Sequence, residues 1–222
     1  MSWKVCLSPS NQTENAYAYG NTTEAEQCGI IALACKAALI RHGIEVICPH
    51  LDGMAEKIRQ SDAFGADLHV PIHTNAFNGE VTGTRGFCSK FGTEGYRAIK
   101  CIFDYLAPLT PGTSENIKEY PTLYEMKSKA WTAYVECTFH DNPDEAKWII
   151  EHTTEIGEAI AHGIVDWFGL DWIPAGEVEP APAEKIRYRV QVGSFAKKTN
   201  AERLMAEMKA NGYDAYIVTV KL

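Results

Sequence analysis

Residues 69–77 read HVPIHTNAF. Val70, Pro71 and Ile72 form a short apolar run that closes at His73 and gives way at once to the polar Thr74 and Asn75. That is the pattern of a buried strand, over 68–73, ending in a loop. Strand and helix signals alternate outward from it in both directions. Upstream lie a strand at 4–8 (KVCLS), a helix from about Thr23 to His42, a strand at 44–48 (IEVIC) and a short helix within 51–65. Downstream lie a strand at 83–89, a helix over 92–107, a strand at 131–139 (WTAYVECTF) and a long helix over 142–168. Strands separated by helical crossovers predict an α/β domain with a mainly parallel sheet and helices on both faces. In the last helix Trp148, Ile149, Ile156, Ile160, Ile164, Trp167 and Phe168 recur with helical periodicity, so one apolar face should meet the sheet.

The chain has 222 residues, 45% of them hydrophobic, enough for one core of about 150–200 residues and a small second unit. No apolar run approaches the roughly 18 residues of a membrane span, so no membrane insertion is expected. The N-terminus, MSWKVCLSPSNQ, lacks a charged segment followed by a hydrophobic one. The expectation is a chain made in the cytoplasm without a signal peptide, acting on its target after release. Seven cysteines, an odd number without CxxC pairs, read as reduced and mostly buried thiols.

The net charge of −8 conceals a division. Residues 1–170 carry 13 basic and 22 acidic side chains, net −9, whereas residues 185–222 carry eight basic and three acidic, net +5. Between them DWIPAGEVEPAPAE, residues 171–184, holds Pro174, Pro180 and Pro182 and reads as an extended linker. Two domains are expected, 1–170 and 185–222. A basic module on an acidic body points to an anionic polymer as its partner, either bacterial cell wall or nucleic acid. The tail lacks the clustered aromatic positions on which bases stack, which argues against nucleic acid.

In a parallel sheet, reactive groups gather at the carboxyl edge of the strands, where loops converge on one crevice. That rule brings together the loop SPSNQTENAYAYGNTTEAE after the first strand, the end of HVPIH and the strand that carries Glu136. The side chains there capable of chemistry include Gln12, Glu24, His73, Asn75 and Glu136. Taken singly, several have bland readings. A histidine at a strand end is more often hydrogen-bonded than a ligand. Glu24 suits the first turn of a helix capped by Thr22 or Thr23. Glu136, inside an apolar strand, is costly unless it has a role. Alternation sends Cys137 to the opposite face, as a buried structural thiol. Asn142 and Pro143 read as the cap and first position of the last helix.

Three segments, SPSNQTENAYAYGNTTEAE, VPIHTNAFNGEVTGT and AYVECTFHDNPDEAKWI, together resemble the zinc-dependent N-acetylmuramoyl-L-alanine amidases of the amidase 3 family, over nearly all of residues 3–169. The resemblance implies one zinc ion and hydrolysis of the amide joining N-acetylmuramic acid to L-alanine in peptidoglycan. It places Glu24 and His73 as metal ligands and Glu136 as general base; Asn75, two residues after His73, stands where it could orient the ligand or bind substrate, although a polar turn residue would stand there anyway. The family's first-strand histidine, its third ligand, is replaced here by SPSNQ, with Asn11 at the aligned position. Gln12 is taken as the third ligand; His50, His69 and His140 are the alternatives.

The tail, YRVQVGSFAKKTNAERLMAEMKANGYDAYIV, reads strand, helix, strand, with Ala201, Leu204, Met205 and Met208 on one helix face. It is similar to the first half of a SPOR domain, a glycan-binding fold of two such repeats, with VQVGSF as the matching motif. Gln191 in that motif is the candidate wall-binding residue. A lone β-α-β unit of this size buries little core, so pairing of two copies into a homodimer is expected. The function so read is that of a peptidoglycan amidase, acting as a phage endolysin or a bacterial autolysin. The alternative is a metal-free wall-binding protein that has lost its first-strand ligand.

Overall fold

The computed structural model describes residues 2–113, 116–176, 193–213, 215 and 217. The chain divides into two compact units, Met1–Gly176 and Glu177–Leu222.

In the first unit the strands are β1 (Lys4–Pro9), β2 (Glu45–Ile47), β3 (Leu68–Asn75), β4 (Arg85–Cys88), β5 (Ile117–Glu119), β6 (Trp131–Thr132) and β7 (Tyr134–Phe139). They form one sheet in the order β2-β1-β3-β7-β4-β5, with the two-residue β6 beside β3. All pairings are parallel except β4 with β7. The helices are α1 (Glu24–Arg41), α2 (Met54–Phe64), α3 (Glu94–Leu106), α4 (Pro143–Glu151) and α5 (Thr153–Trp167), and a 3₁₀ turn spans Tyr124–Lys127. The expected α/β architecture is present.

The two faces of the sheet differ in kind. Residues alternate across a strand, and one face carries Val5 and Leu7, then Leu68, Val70 and Ile72, then Val135 and Cys137, all fully buried. These pack with Ile31, Cys35 and Leu39 of α1, Ile99 and Ile102 of α3 and Ile156, Ile160 and Ile164 of α5 in a single apolar cluster. The helices approach closely. A Cβ on Gly157 of α5 would lie 2.6 Å from Ala34 Cβ and 2.7 Å from the Ile31 carbonyl of α1. The opposite face presents Ser8, His69, His73 and Glu136, and is covered by α2 and the 3₁₀ turn. Lys57 of α2, 1% exposed, donates from Nζ to the Pro9 carbonyl across this face.

Two predicted elements are split. The strand expected over 131–139 breaks at Ala133 into β6 and β7, both running beside β3. The helix expected over 142–168 is interrupted at His152, whose backbone leaves the helical region (φ −126°, ψ 22°) while its Nδ1 meets the Trp148 carbonyl at 2.8 Å. Asn142 caps α4 by accepting from the Asp144 and Glu145 amides, with Pro143 at the first position as expected.

In the second unit α6 (Lys198–Ala210) is present, and Ala201, Leu204, Met205 and Met208 are its half-buried positions, the face expected. Both strands expected to flank it, and Gln191, fall wholly or partly outside the described residues.

Candidate active site

The carboxyl edge of the sheet assembles the site. β3 does not stop at His73 but continues to Asn75, with its pairing to β7 shifting register between those two residues. His73 lies directly beside Glu136 on β7, and Glu136 beside Arg85 on β4. Irregular pairing next to a site re-aims side chains that a regular strand would spread apart. Glu24 arrives from the other direction. Thr23 caps α1 with a reciprocal capping box to Glu26, which fixes the first turn. Glu24, 1% exposed, then meets His73 Nδ1 through Oε1 at 2.9 Å and the Thr74 amide at 3.4 Å. The three widely separated residues of the sequence reading therefore share one small region.

The His73 ring is held by its surroundings. It stacks on Tyr134, 4.9 Å between centroids at 17°. Its Nε2 lies 3.7 Å from Oε2 of Glu125, a buried residue of the 3₁₀ turn. Burial opposes a charge on His73, but Glu125, Glu24 and Glu136 outweigh it and raise the imidazole to about 9. Glu24 is likewise opposed by burial. Hydrogen bonds from His73, Asn15 and Ser10 nevertheless hold its carboxyl below the usual range. Glu136 goes the other way, because burial pushes its carboxyl up to about 7 and Glu24 adds to this, while His73 and Arg85 offset it in part. Glu136 Oε2 is buried without a hydrogen-bond partner. Two carboxyl groups in one pocket are thus driven apart, one kept ionised and one kept near neutrality, the pattern by which acid and base roles separate.

Gln12 is exposed, and its Oε1 accepts from Asn15 Nδ2 at 2.9 Å. The same Asn15 amide donates to Glu24 Oε2 at 2.7 Å, so one side chain joins Gln12 to Glu24. Asn11 turns to the Asp52 carbonyl at 2.9 Å. Of the alternative histidines, His50 meets the Ala25 carbonyl at 3.0 Å, His69 meets Glu125 at 3.3 Å and His140 meets Thr74 Oγ1 at 2.9 Å. Asn75 ends β3, and its Oδ1 accepts from the Ala76 amide at 2.8 Å. Cys137 is fully buried, its thiol pushed far up by burial. Among the described residues no group of three His, Cys, Asp or Glu side chains is arranged to hold a metal ion.

Sequence reasoning missed Glu125. The signal was available in His69, four residues before His73 and so on the same face of β3. A buried histidine there needs a polar partner from whatever covers that face.

An α/β domain that sets a buried Glu–His pair beside a near-neutral carboxyl at its strand ends has groups suited to general acid–base chemistry. The sequence profile of the N-acetylmuramoyl-L-alanine amidase family matches residues 5–166, and that of the SPOR domain matches residues 184–221. The chain belongs to the N-acetylmuramoyl-L-alanine amidase family and is a peptidoglycan hydrolase. Its fold is shared with solved amidases. The catalytic domain of CwlV, from Bacillus (Paenibacillus) polymyxa var. colistinus, is 17% identical with a TM-score of 0.67, the match covering 76% of this chain and 99% of that one. AmiC2 of Nostoc punctiforme is 16% identical with a TM-score of 0.66, covering 75% and 97%. The catalytic domain of an endolysin targeting Clostridia difficile is 19% identical with a TM-score of 0.62, covering 74% and 97%. Among curated proteins none matches.

Proposed function

We propose that the enzyme is zinc-dependent, with Glu24 and His73 as metal ligands, Gln12 as the third donor and Glu136 as general base. The reading is carried by the convergence of Glu24, His73 and Glu136, with the 2.9 Å contact between the first two. Carboxylate oxygen and imidazole nitrogen are both zinc donors. The partnerless Oε2 of Glu136 is a further observation in favour, since a buried polar atom without a partner is costly unless something meets it in the working state. Gln12 contributes a carbonyl oxygen tied through Asn15 to Glu24, a weaker donor than the imidazole the family uses.

Zinc held by Glu24, His73 and Gln12 would supply Lewis-acid polarisation of the scissile carbonyl and of water. Glu136, a buried carboxylate beside His73, would take the water's proton and return it to the departing alanine nitrogen as the C–N bond breaks. Glu24 stays ionised, supplying negative charge. Tyr134, stacked on His73, keeps the imidazole plane fixed. Asn75, at the end of β3 on the rim of the site, is read as a substrate contact. The cell wall is reached through the C-terminal unit, with Gln191 as a wall contact and two copies pairing to complete the repeat. The role is lytic, as an endolysin or autolysin.

The test uses purified peptidoglycan. Wild type should free alanine amino groups and carry about one zinc per chain by elemental analysis, and Glu136→Ala should keep the zinc while losing about 10²–10⁴-fold in rate. Full activity in Glu136→Ala, or equal activity after complete removal of metal, would refute the assignment. Sedimentation of the full chain against residues 1–176 tests the pairing; two monomers would refute it.

A further inference from the structure

The sheet face that carries His73 and Glu136 changes character across its width. Over β1 and β3 it is closed by α2 and the 3₁₀ turn, where Lys57 meets the Pro9 carbonyl and Glu125 meets Ser8 and His69. At β4 the helix α3 packs on the other face, since a Cβ on Gly86 would lie 2.7 Å from Ile99 Cγ1. Alternation then puts Arg85 and Phe87 of β4 and Lys118 of β5 on the His73 side, with Phe87 beside Tyr134 and Lys118 beside Phe87. Phe87 is half-buried, and Lys118 and Tyr120 are exposed. Rings run in a row from the reactive groups onto this shelf. His73 stacks on Tyr134 at 4.9 Å between centroids, Tyr134 meets Phe87 at 5.9 Å and Phe87 meets Tyr120 at 5.7 Å, the last two contacts edge to face. The Tyr120 amide donates to the Cys88 carbonyl at 2.8 Å, which ties its backbone to β4. Arg85 stands at the inner end, in register with Glu136, its guanidinium 4.6 Å from the centre of the Phe139 ring. From β3 across β7 and β4 to β5 is roughly 14 Å, the length of about four extended residues.

Two cations along a floor of rings, on a body whose residues 1–170 carry net −9, are complementary to an extended chain that bears carboxylates. Guanidinium and ammonium groups pair with carboxylate, and rings pack against aliphatic stems. Two arms of the substrate meet at the scissile amide. The peptide arm carries carboxylate, at the least at its terminus, whereas an uncharged sugar strand would gain nothing from Arg85 and Lys118. We propose that this shelf binds the peptide arm, with Arg85 and Lys118 pairing with its carboxylates and Phe87 and Tyr120 packing against its side chains. The glycan arm then leaves the site on the side away from β4. The inference rests on His73 and Glu136 being the reacting centre, and deepens that reading by assigning one half of the substrate to β4 and β5.

The experiment follows cleavage by the full-length chain of a soluble muropeptide whose peptide carboxylates are free, and of the same compound with them converted to carboxamides. Wild type should show a KM about 3–10-fold lower for the free acid, a comparison that needs no variant to fold. For the free acid, Lys118→Glu should raise KM about 3–10-fold at unchanged kcat, the mark of lost ground-state binding, and Lys118→Arg should keep the wild-type value. For the carboxamide both variants should match wild type. Circular dichroism checks folding. Equal KM for the two compounds in wild type, or a folded Lys118→Glu with wild-type KM for the free acid, would overturn the proposal. A rise in KM of the same size on both compounds would give the shelf to the glycan arm and overturn it too. Glu136→Ala runs alongside. If it cleaves as fast as wild type, the reacting centre lies elsewhere and both readings fall; if it is inactive, the outcomes above refute the peptide shelf alone.

Discussion

Glu136→Gln should make the metal-free protein gain stability relative to wild type as pH rises, while removing its activity. The Glu136 carboxyl is lifted from an ordinary 4.5 to about 7. Between those values the unfolded chain has released this proton and the folded chain still holds it, so wild type loses stability as pH rises through the window. Above about 7 both states are ionised and the loss is complete. At about 1.36 kcal/mol per pH unit the whole loss is roughly 3 kcal/mol. Glutamine does not titrate. Its buried amide carries a constant cost of about 1–3 kcal/mol where Oε2 had no partner, and that cost cancels when two pH values are compared. The stability difference between variant and wild type should therefore shift by about 3 kcal/mol in the variant's favour from pH 4.5 to pH 8. For a chain of this size that is a relative gain of about 6–12 °C in melting temperature. Calorimetric or chemical unfolding of chelator-treated proteins at the two pH values measures it. Curves that run parallel within about 0.5 kcal/mol would refute the argument that burial strains this carboxylate.

Three further outcomes are expected. His73, raised to about 9 without metal, is protonated at pH 7, so uptake of Zn²⁺ should expel about one proton and tighten with pH until about 9; titration calorimetry in buffers of different ionisation enthalpy reads the proton count. Gly157→Ala should destabilise by about 1–3 kcal/mol, because the new methyl meets Ala34 Cβ at 2.6 Å and α1 backbone at 2.7 Å; thermal melting checks it. A chain ending at Gly176, the limit of the first compact unit, should cleave soluble muropeptides at the wild-type rate and bind intact sacculi more weakly, as measured by pelleting.

The fold was legible where burial imposes a period. β1, β3 and β7 are apolar runs with polar neighbours on alternate positions, and α3 and α5 carry their apolar face at helical spacing, so elements and order could be read directly. The breaks were not legible. The turn at His152 depends on a side-chain contact to Trp148, and the division at Ala133 depends on how one strand serves two stretches of β3. In the site, His73 and Glu136 stood out because each interrupts an apolar strand. Glu24 could be read as no more than a first-turn acid until resemblance singled it out. Glu125 lies in PTLYEMKSKA, a stretch with neither period, and a 3₁₀ turn of four residues leaves no periodic trace. The loop at Asn11 and Gln12 follows hydrogen bonds to Asp52 and Asn15 that no local pattern encodes.

The uneven division of the sheet has a consequence for how such a domain can change over generations. Its anchoring hydrocarbon lies on one side, sealed by three long helices, while the reactive groups and the loop that tethers them occupy the other side and the rim. Exchanging a rim residue such as Asn11 or Gln12 leaves the greasy half untouched, so new ligand chemistry can be tried there with little danger to folding.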